Sequence, residues 1–182
     1  TTDDVNCGIV ATQHLIENGC KRIAYLSMSQ NLSISHTRMS GYLEALKRNK
    51  LKEDSSLIVY CTGDEEQKNE SVRRLLKRKN RPDGIFASVE KLAITTYEIC
   101  GELGLKIPED IKIITLSNSY MAGLLNPSLT TITQPAYEIG REAAAILFKM
   151  VEKRRHHFLL ERTVLNSKLI ARNSTKAKRT RK

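Results

Sequence analysis

No apolar run in the sequence approaches the ~20 residues that a membrane-spanning helix needs. No export signal opens it either. Cysteine is sparse: Cys7, Cys20, Cys61 and Cys100 are spaced too widely to form a C-x-x-C pair. That spacing offers neither a zinc site nor a thioredoxin-like motif. Cys61 and Cys100 sit in apolar surroundings and are expected to pack as small hydrophobes, reduced as in a cytoplasmic protein. Histidine is equally thin. His14 falls mid-helix, His36 is distant from it, and His156-His157 occupy a basic turn. There is no G-x-S-x-G elbow, no P-loop and no H-E-x-x-H. The acidic pairs Glu65-Glu66 and Glu109-Asp110 read as solvated loop residues rather than catalytic ones. These absences argue against an enzyme, and no cofactor or metal is expected.

What is present is ordinary for a globular protein. Hydrophobic residues make up 40% and charged residues 27% of 182, enough for one domain or one and a fraction. The net charge of +10 is partly local, because five basic residues and no acid fill the tail at 176–182. That tail is expected to be a solvated, disordered terminus, with nucleic-acid contact as the other reading. The basic run at 73–81 reads as the outer face of a helix end, where positive charge suits the helix dipole.

Strand-like and helix-like segments alternate along the chain. Apolar periodicity, with Asp3 or Asp4 as cap and Gly19 as stop, predicts a helix over 4–18. Further helices are expected over 36–49, 67–79, 90–103 and 136–153. Strands are expected at 22–28, 57–61, 84–87, 111–116 and 129–132, with a last one at 163–171. Such alternation predicts a parallel sheet with helices on both faces. The fourth strand ends at Ser117-Asn118-Ser119, where a buried run meets open space. In open α/β sheets ligands sit outside the carboxyl ends of strands. The loop at 29–35 with Arg38, then Thr62-Gly63-Asp64, Ser88-Val89-Glu90 and Ser117-Asn118 should therefore line one cleft wall. Their hydroxyl, amide, carboxylate and guanidinium groups suit a polyhydroxylated ligand.

Several motifs occur in a telling order: H-L-I-x-x-G-x-K-R-I-A-Y-L at 14–26, S-x-x-R-x-x-G-Y at 35–42 and P-D-G-I-F-A at 82–87. P-E-D-I, L-S-N-S, N-P-S-L-T-T-I-x-Q-P and I-G-x-x-A-A follow, then L-I-A-R-N-S-T at 169–175. Together they resemble the effector-binding region of the LacI/GalR family of bacterial transcription regulators. The resemblance runs from Asp3 to about Thr175. It implies an α/β, Rossmann-like three-layer lobe of a periplasmic-binding-protein-like fold. It places residues 1–131 in a second lobe and 132–158 in a strand and helix returning to a first lobe. Residues 159–175 are then the closing strand region. The chain starts at Thr1, not methionine, and is expected to be a fragment that lacks a DNA-binding helix-turn-helix and most of the first lobe. The helix at 136–153 would then expose a broad apolar face (Ile139, Ala143, Ile146, Leu147, Met150), expected to be covered by a neighbouring chain or to pack abnormally.

The resemblance also implies a site. Arg38 is the family's effector-contacting arginine, whose planar head bridges two ligand oxygens, with Ser33 and Ser35 beside it. Glu90 stands where relatives carry aspartate, and Val89 replaces their asparagine. Ser117 stands where many carry an effector-binding aspartate, and Asn118 matches the neighbouring asparagine. These departures favour a carbohydrate effector over a purine. The expected partners are that small molecule, a second copy of the chain, and operator DNA only through the absent head. Val72, Leu75 and Leu76, with Met121, Leu124 and Leu125, are the candidate dimer seam. A periplasmic sugar-binding protein of a transport system is the other reading.

Overall fold

Alternation of helix and strand becomes, in the computed structural model, one six-stranded sheet with helices on both sides. The structure describes residues 1–153 and 163–176. The turn at His156-His157 and residues 177–182 of the basic tail lie outside them. Asp3 caps the first helix, α1 (Asp4–Glu17), by accepting from the Asn6 N–H. The chain continues through β1 (Ile23–Ser27), α2 (Ser33–Arg48), β2 (Ile58–Tyr60), α3 (Glu65–Leu76), β3 (Gly84–Ala87), α4 (Glu90–Glu102) and β4 (Lys112–Leu116). It closes with β5 (Thr130–Thr133), α5 (Ala136–Lys153) and β6 (Lys168–Ile170).

The sheet order is β2-β1-β3-β4-β5-β6. The first five strands are parallel and β6 is antiparallel to β5. Strand β1 shows why the lobe has three layers. Ile23 and Tyr25 point to the face covered by α1 and α2, where Ala11, Leu15, Tyr42 and Leu46 meet them. Ala24 and Leu26 point the other way, into a core with Val72, Leu75 and Leu76 of α3 and Leu92 and Ile99 of α4. A strand apolar on both sides belongs inside a parallel sheet, and β1 is buried throughout.

Two expectations are corrected. Helix α2 begins at Ser33, so Ser33 and Ser35 belong to its first turn, not to a loop. Val72, Leu75 and Leu76 are at most 2% exposed in this chain's own core, so none can meet a partner. The helix α5 is not covered in the single chain. Tyr137, Leu147, Phe148 and Val151 are exposed, and no other element packs along it among the described residues. In addition, β5 stays in the main sheet to Thr133, past the expected boundary at 131. The last strand is only three residues long, although Leu165 bridges Thr2.

The motif R-N-S-T closes the lobe through hydrogen bonds. The Ser174 hydroxyl donates to the Ile113 carbonyl at 2.7 Å and accepts from the Thr130 N–H at 2.8 Å. Thr175 Oγ1 lies 2.8 Å from Thr130 Oγ1 and 2.7 Å from His14 Nε2. Burial holds the His14 pKa below its ordinary value of 6.5, against an opposing pull from Glu17. Folding therefore favours the neutral ring. The unfolded chain takes up this proton at a higher pH, so stability falls as pH drops from about 6.5 towards the lower folded value. Melting temperatures recorded from pH 7.5 to 5 should show a decline that is shallower in His14→Gln.

Candidate functional site

Sheet order locates the crevice before any side chain is considered. From β1 the chain steps outward to β2, then returns to the other side of β1 for β3, β4 and β5. The order thus reverses between β1 and β3. Loops leaving their carboxyl ends diverge there, and that divergence is where open α/β sheets hold ligands.

Arg38 spans this point. Its Nη1 donates to the Ser88 carbonyl after β3 at 2.7 Å, and its Nε donates to Asp4 Oδ1 at 2.8 Å. Both ion partners are largely buried, with side chains 6% and 15% exposed. The guanidinium therefore ties α2, the start of α1 and the end of β3 into one unit. Its Nη2 makes no hydrogen bond to the described residues. Underneath, the Tyr25 hydroxyl donates to the Ser35 carbonyl at 2.9 Å. Burial first, against smaller opposing effects, pushes that phenol up to about 12, so it stays a neutral donor.

Backbone contact between helices sets the position of Arg38. A Cβ on Gly8 would sit 2.2 Å from the Arg38 carbonyl oxygen, and one on Gly41 would sit 2.0 Å from the Val5 carbonyl oxygen. Only glycine at both positions lets α1 and α2 touch. In S-x-x-R-x-x-G-Y, the glycine brings the arginine's helix against the helix that carries its carboxylate.

The remaining predicted residues divide. Ser35 is buried beside Arg38, while Ser33 is exposed one turn away. Glu90 opens α4 next to Ser88, half-buried. Ser117 and Asn118 follow β4, one strand further along, and are spent locally. Ser117 Oγ accepts from the Ser119 N–H at 2.9 Å. Asn118 pairs with the Gln134 backbone through both side-chain atoms at 2.7 Å, as a strand residue would. Gln134 Nε2 in turn donates to the Thr2 hydroxyl at 2.9 Å. Asn118 thus fastens the segment leaving β4 to the segment leaving β5, and Gln134 ties both to the start of the chain.

Of the seam residues, Met121 and Leu124 are exposed beside Tyr120, and Leu125 packs partly on the core. Sequence reasoning missed Asp4 and Ser88 as partners of Arg38, Gln134 as the partner of Asn118, and Thr2 as the partner of Gln134. A depression of about 500 Å³ lies on the opposite, amino-end edge of the sheet, away from this cluster. All four cysteines are buried, and burial raises the Cys20 and Cys100 thiols to about 12 and Cys61 to about 11. Among the described residues no group of three or more His, Cys, Asp or Glu could hold a metal ion. No described helix is long and apolar enough to cross a membrane.

Known proteins share this fold. A family model described as a periplasmic binding protein-like domain matches residues 12–175. The HTH-type transcriptional repressor CytR of Escherichia coli (strain K12) is 31% identical over 175 residues, 96% of this chain and 51% of the relative. The ribose operon repressor of Halalkalibacterium halodurans is 29% identical over 167 residues, 92% of this chain and 49% of the relative. Among solved structures, a transcriptional regulator CelR–cellobiose complex superposes with TM-score 0.85 at 29% identity, covering 95% of this chain and 52% of that one. A LacI family regulator from Enterococcus faecium with bound ribose gives 0.84 at 28% identity, covering 96% and 64%. The chain spans about half the length of the curated relatives it matches. The chain belongs to the periplasmic binding protein-like domain family, in the form carried by transcription regulators of the LacI/GalR type.

Proposed function

We propose that this chain is the ligand-sensing and self-associating part of a bacterial LacI-type transcription regulator that responds to a carbohydrate. The observation that carries this reading is the Arg38–Asp4–Ser88 cluster at the β1/β3 switch point. It is a rigid, buried anchor with a guanidinium nitrogen left over, and Glu90 opens the neighbouring helix. Cellobiose and ribose, bound in two similar structures, support the ligand class. The relatives are named as repressors, which supports regulation over transport and over catalysis, and with it a cytoplasmic location.

In this reading α5 belongs to a first lobe outside the chain, and the Asn118–Gln134–Thr2 connection lies at the hinge. Closure on a ligand would then change the angle between lobes and, in a dimer, the spacing of DNA-binding heads. Exposed Tyr120, Met121 and Leu124 are the proposed seam between copies.

Thermal unfolding of the intact gene product containing this chain, against mono- and disaccharides, sugar phosphates and nucleobases, tests the proposal. A ligand of the folded state at ~100 times its dissociation constant adds roughly 2.7 kcal/mol. For a domain of this size that is a rise of about 5–10 °C. A carbohydrate hit should disappear in Arg38→Ala. Stabilisation by a nucleobase alone would overturn the carbohydrate assignment, and no shift with any compound would point to a protein effector.

A further inference from the structure

The sheet has a second edge. Residues 19–22, 49–54 and 77–83 precede β1, β2 and β3 at their amino ends, and carry eight lysines and arginines against three acids. The order β2-β1-β3 sets these loops side by side. Hydrogen bonds hold them there. Arg22 Nε donates to the Asn80 carbonyl at 2.8 Å, and Arg22 Nη2 meets Asp54 Oδ2 at 2.8 Å. The Lys21 and Arg22 N–H groups both donate to the Asp83 carboxylate at 2.9 Å. Arg78 Nη1 donates to the Ser56 carbonyl at 2.8 Å.

Two of the three acids are consumed by this scaffolding. Asp54 serves Arg22 and the Ser56 N–H, while Asp83 serves backbone amides. The lysines are not. Lys21, Lys50, Lys52, Lys77 and Lys79 are exposed, and none takes part in an ion pair among the described residues. Lys21, Arg22 and Lys52 also line the depression of about 500 Å³ on this edge. Helix dipoles account for Arg73 and Arg74 in the last turn of α3, and for Lys47 and Arg48 in that of α2. Lys50, Lys52, Lys79 and Arg81 lie beyond those turns, where the dipole effect has faded.

The kind of residue present selects the partner. Protein interfaces are depleted in lysine and anchored by aromatic or aliphatic side chains. None of the exposed large hydrophobic residues falls in these three loops. Single-stranded nucleic acid is held by stacking on aromatics, and none of the six tyrosines or three phenylalanines lies there. What fits a rigid, lysine-rich edge without apolar anchors is a row of phosphates, engaged as point charges with counterion release.

We infer that the amino-end edge of the sheet binds the backbone of duplex nucleic acid, independently of sequence. It lies opposite the Arg38 cluster, so it stands or falls apart from the effector reading. Fluorescence anisotropy of a labelled random-sequence duplex of about 25 base pairs, titrated with the full chain from about 50 to 200 mM salt, tests it. The logarithm of the binding constant should fall linearly with the logarithm of salt concentration. Lys52→Gln/Lys77→Gln/Lys79→Gln should weaken binding and reduce the slope by about three, roughly one per phosphate contact. Its melting temperature should stay that of the parent, because all three side chains are exposed. If that variant misfolds, Lys21→Gln/Lys50→Gln should reduce the slope by about two.

An unchanged slope in the folded variants would overturn the inference. So would binding that is lost only when Lys176, Lys178, Arg179, Arg181 and Lys182 are replaced by serine. Tighter binding to polyglutamate or to a single strand than to the duplex, with the same sensitivity to the variants, would reassign the edge to an acidic protein or to single strands.

Discussion

Asp4→Ala should destabilise the fold by about 3–5 kcal/mol, the cost of leaving a buried charge without its partner. The Arg38 guanidinium stays behind with its side chain 6% exposed, holding only the Ser88 carbonyl. Arg38→Met should cost less, because Asp4 is the more exposed of the two and lies at the start of α1, where a carboxylate is favoured by the helix dipole. The double variant Asp4→Ala/Arg38→Met should recover most of the stability lost in Asp4→Ala alone, since no uncompensated charge remains. Chemical denaturation of the four proteins measures this directly. A double variant no more stable than Asp4→Ala would show that the pair is not what sets the cost.

The same cycle separates holding the fold from holding a ligand. If Arg38 only fastens three elements together, restored stability brings restored effector binding. If its Nη2 meets the effector, the double variant folds but binds nothing. Two of the three guanidinium nitrogens are fixed, so an effector that met the third would find it already oriented, with little entropy left to lose on binding.

Much of the layer architecture was legible in the sequence, because buried parallel strands and amphipathic helices announce themselves within a few residues of chain. Gly84–Ala87 and Ala136–Lys153 fall where their patterns put them. The start of α2 was missed for a physical reason. Its cap position is Leu32, which offers no side-chain hydrogen bond, so serines 29, 33 and 35 read as loop. At the candidate site, Arg38 was visible through a motif. Asp4, 34 residues earlier, and the backbone carbonyl of Ser88 were not, because tertiary contact alone selects them. The stripe Val72, Leu75, Leu76 shows the other limit. An apolar helix face has the same spacing whether it meets its own core or a second copy, and here its own sheet took it.

Gly41→Ala should be the most damaging single-methyl addition in the lobe, at about 3 kcal/mol, the upper end of the usual range for overpacking. The new Cβ would lie 2.0 Å from the Val5 carbonyl oxygen and 2.8 Å from the Ile9 N–H nitrogen. Both are backbone atoms of α1, so no rotamer change can relieve the clash and the helices must separate. Separation pulls Arg38 from Asp4, because the two side chains ride on the two helices being forced apart. Effector affinity should therefore fall together with stability. Gly101→Ala is the internal control. It sits in α4, is exposed, and an added Cβ would meet nothing within 4 Å. There the gain in helix propensity is unopposed, and stability should rise by up to ~1 kcal/mol. Paired denaturation curves for the two variants distinguish close approach from helix propensity. Equal effects would mean that α1 and α2 have room between them, and that another contact must fix the position of Arg38.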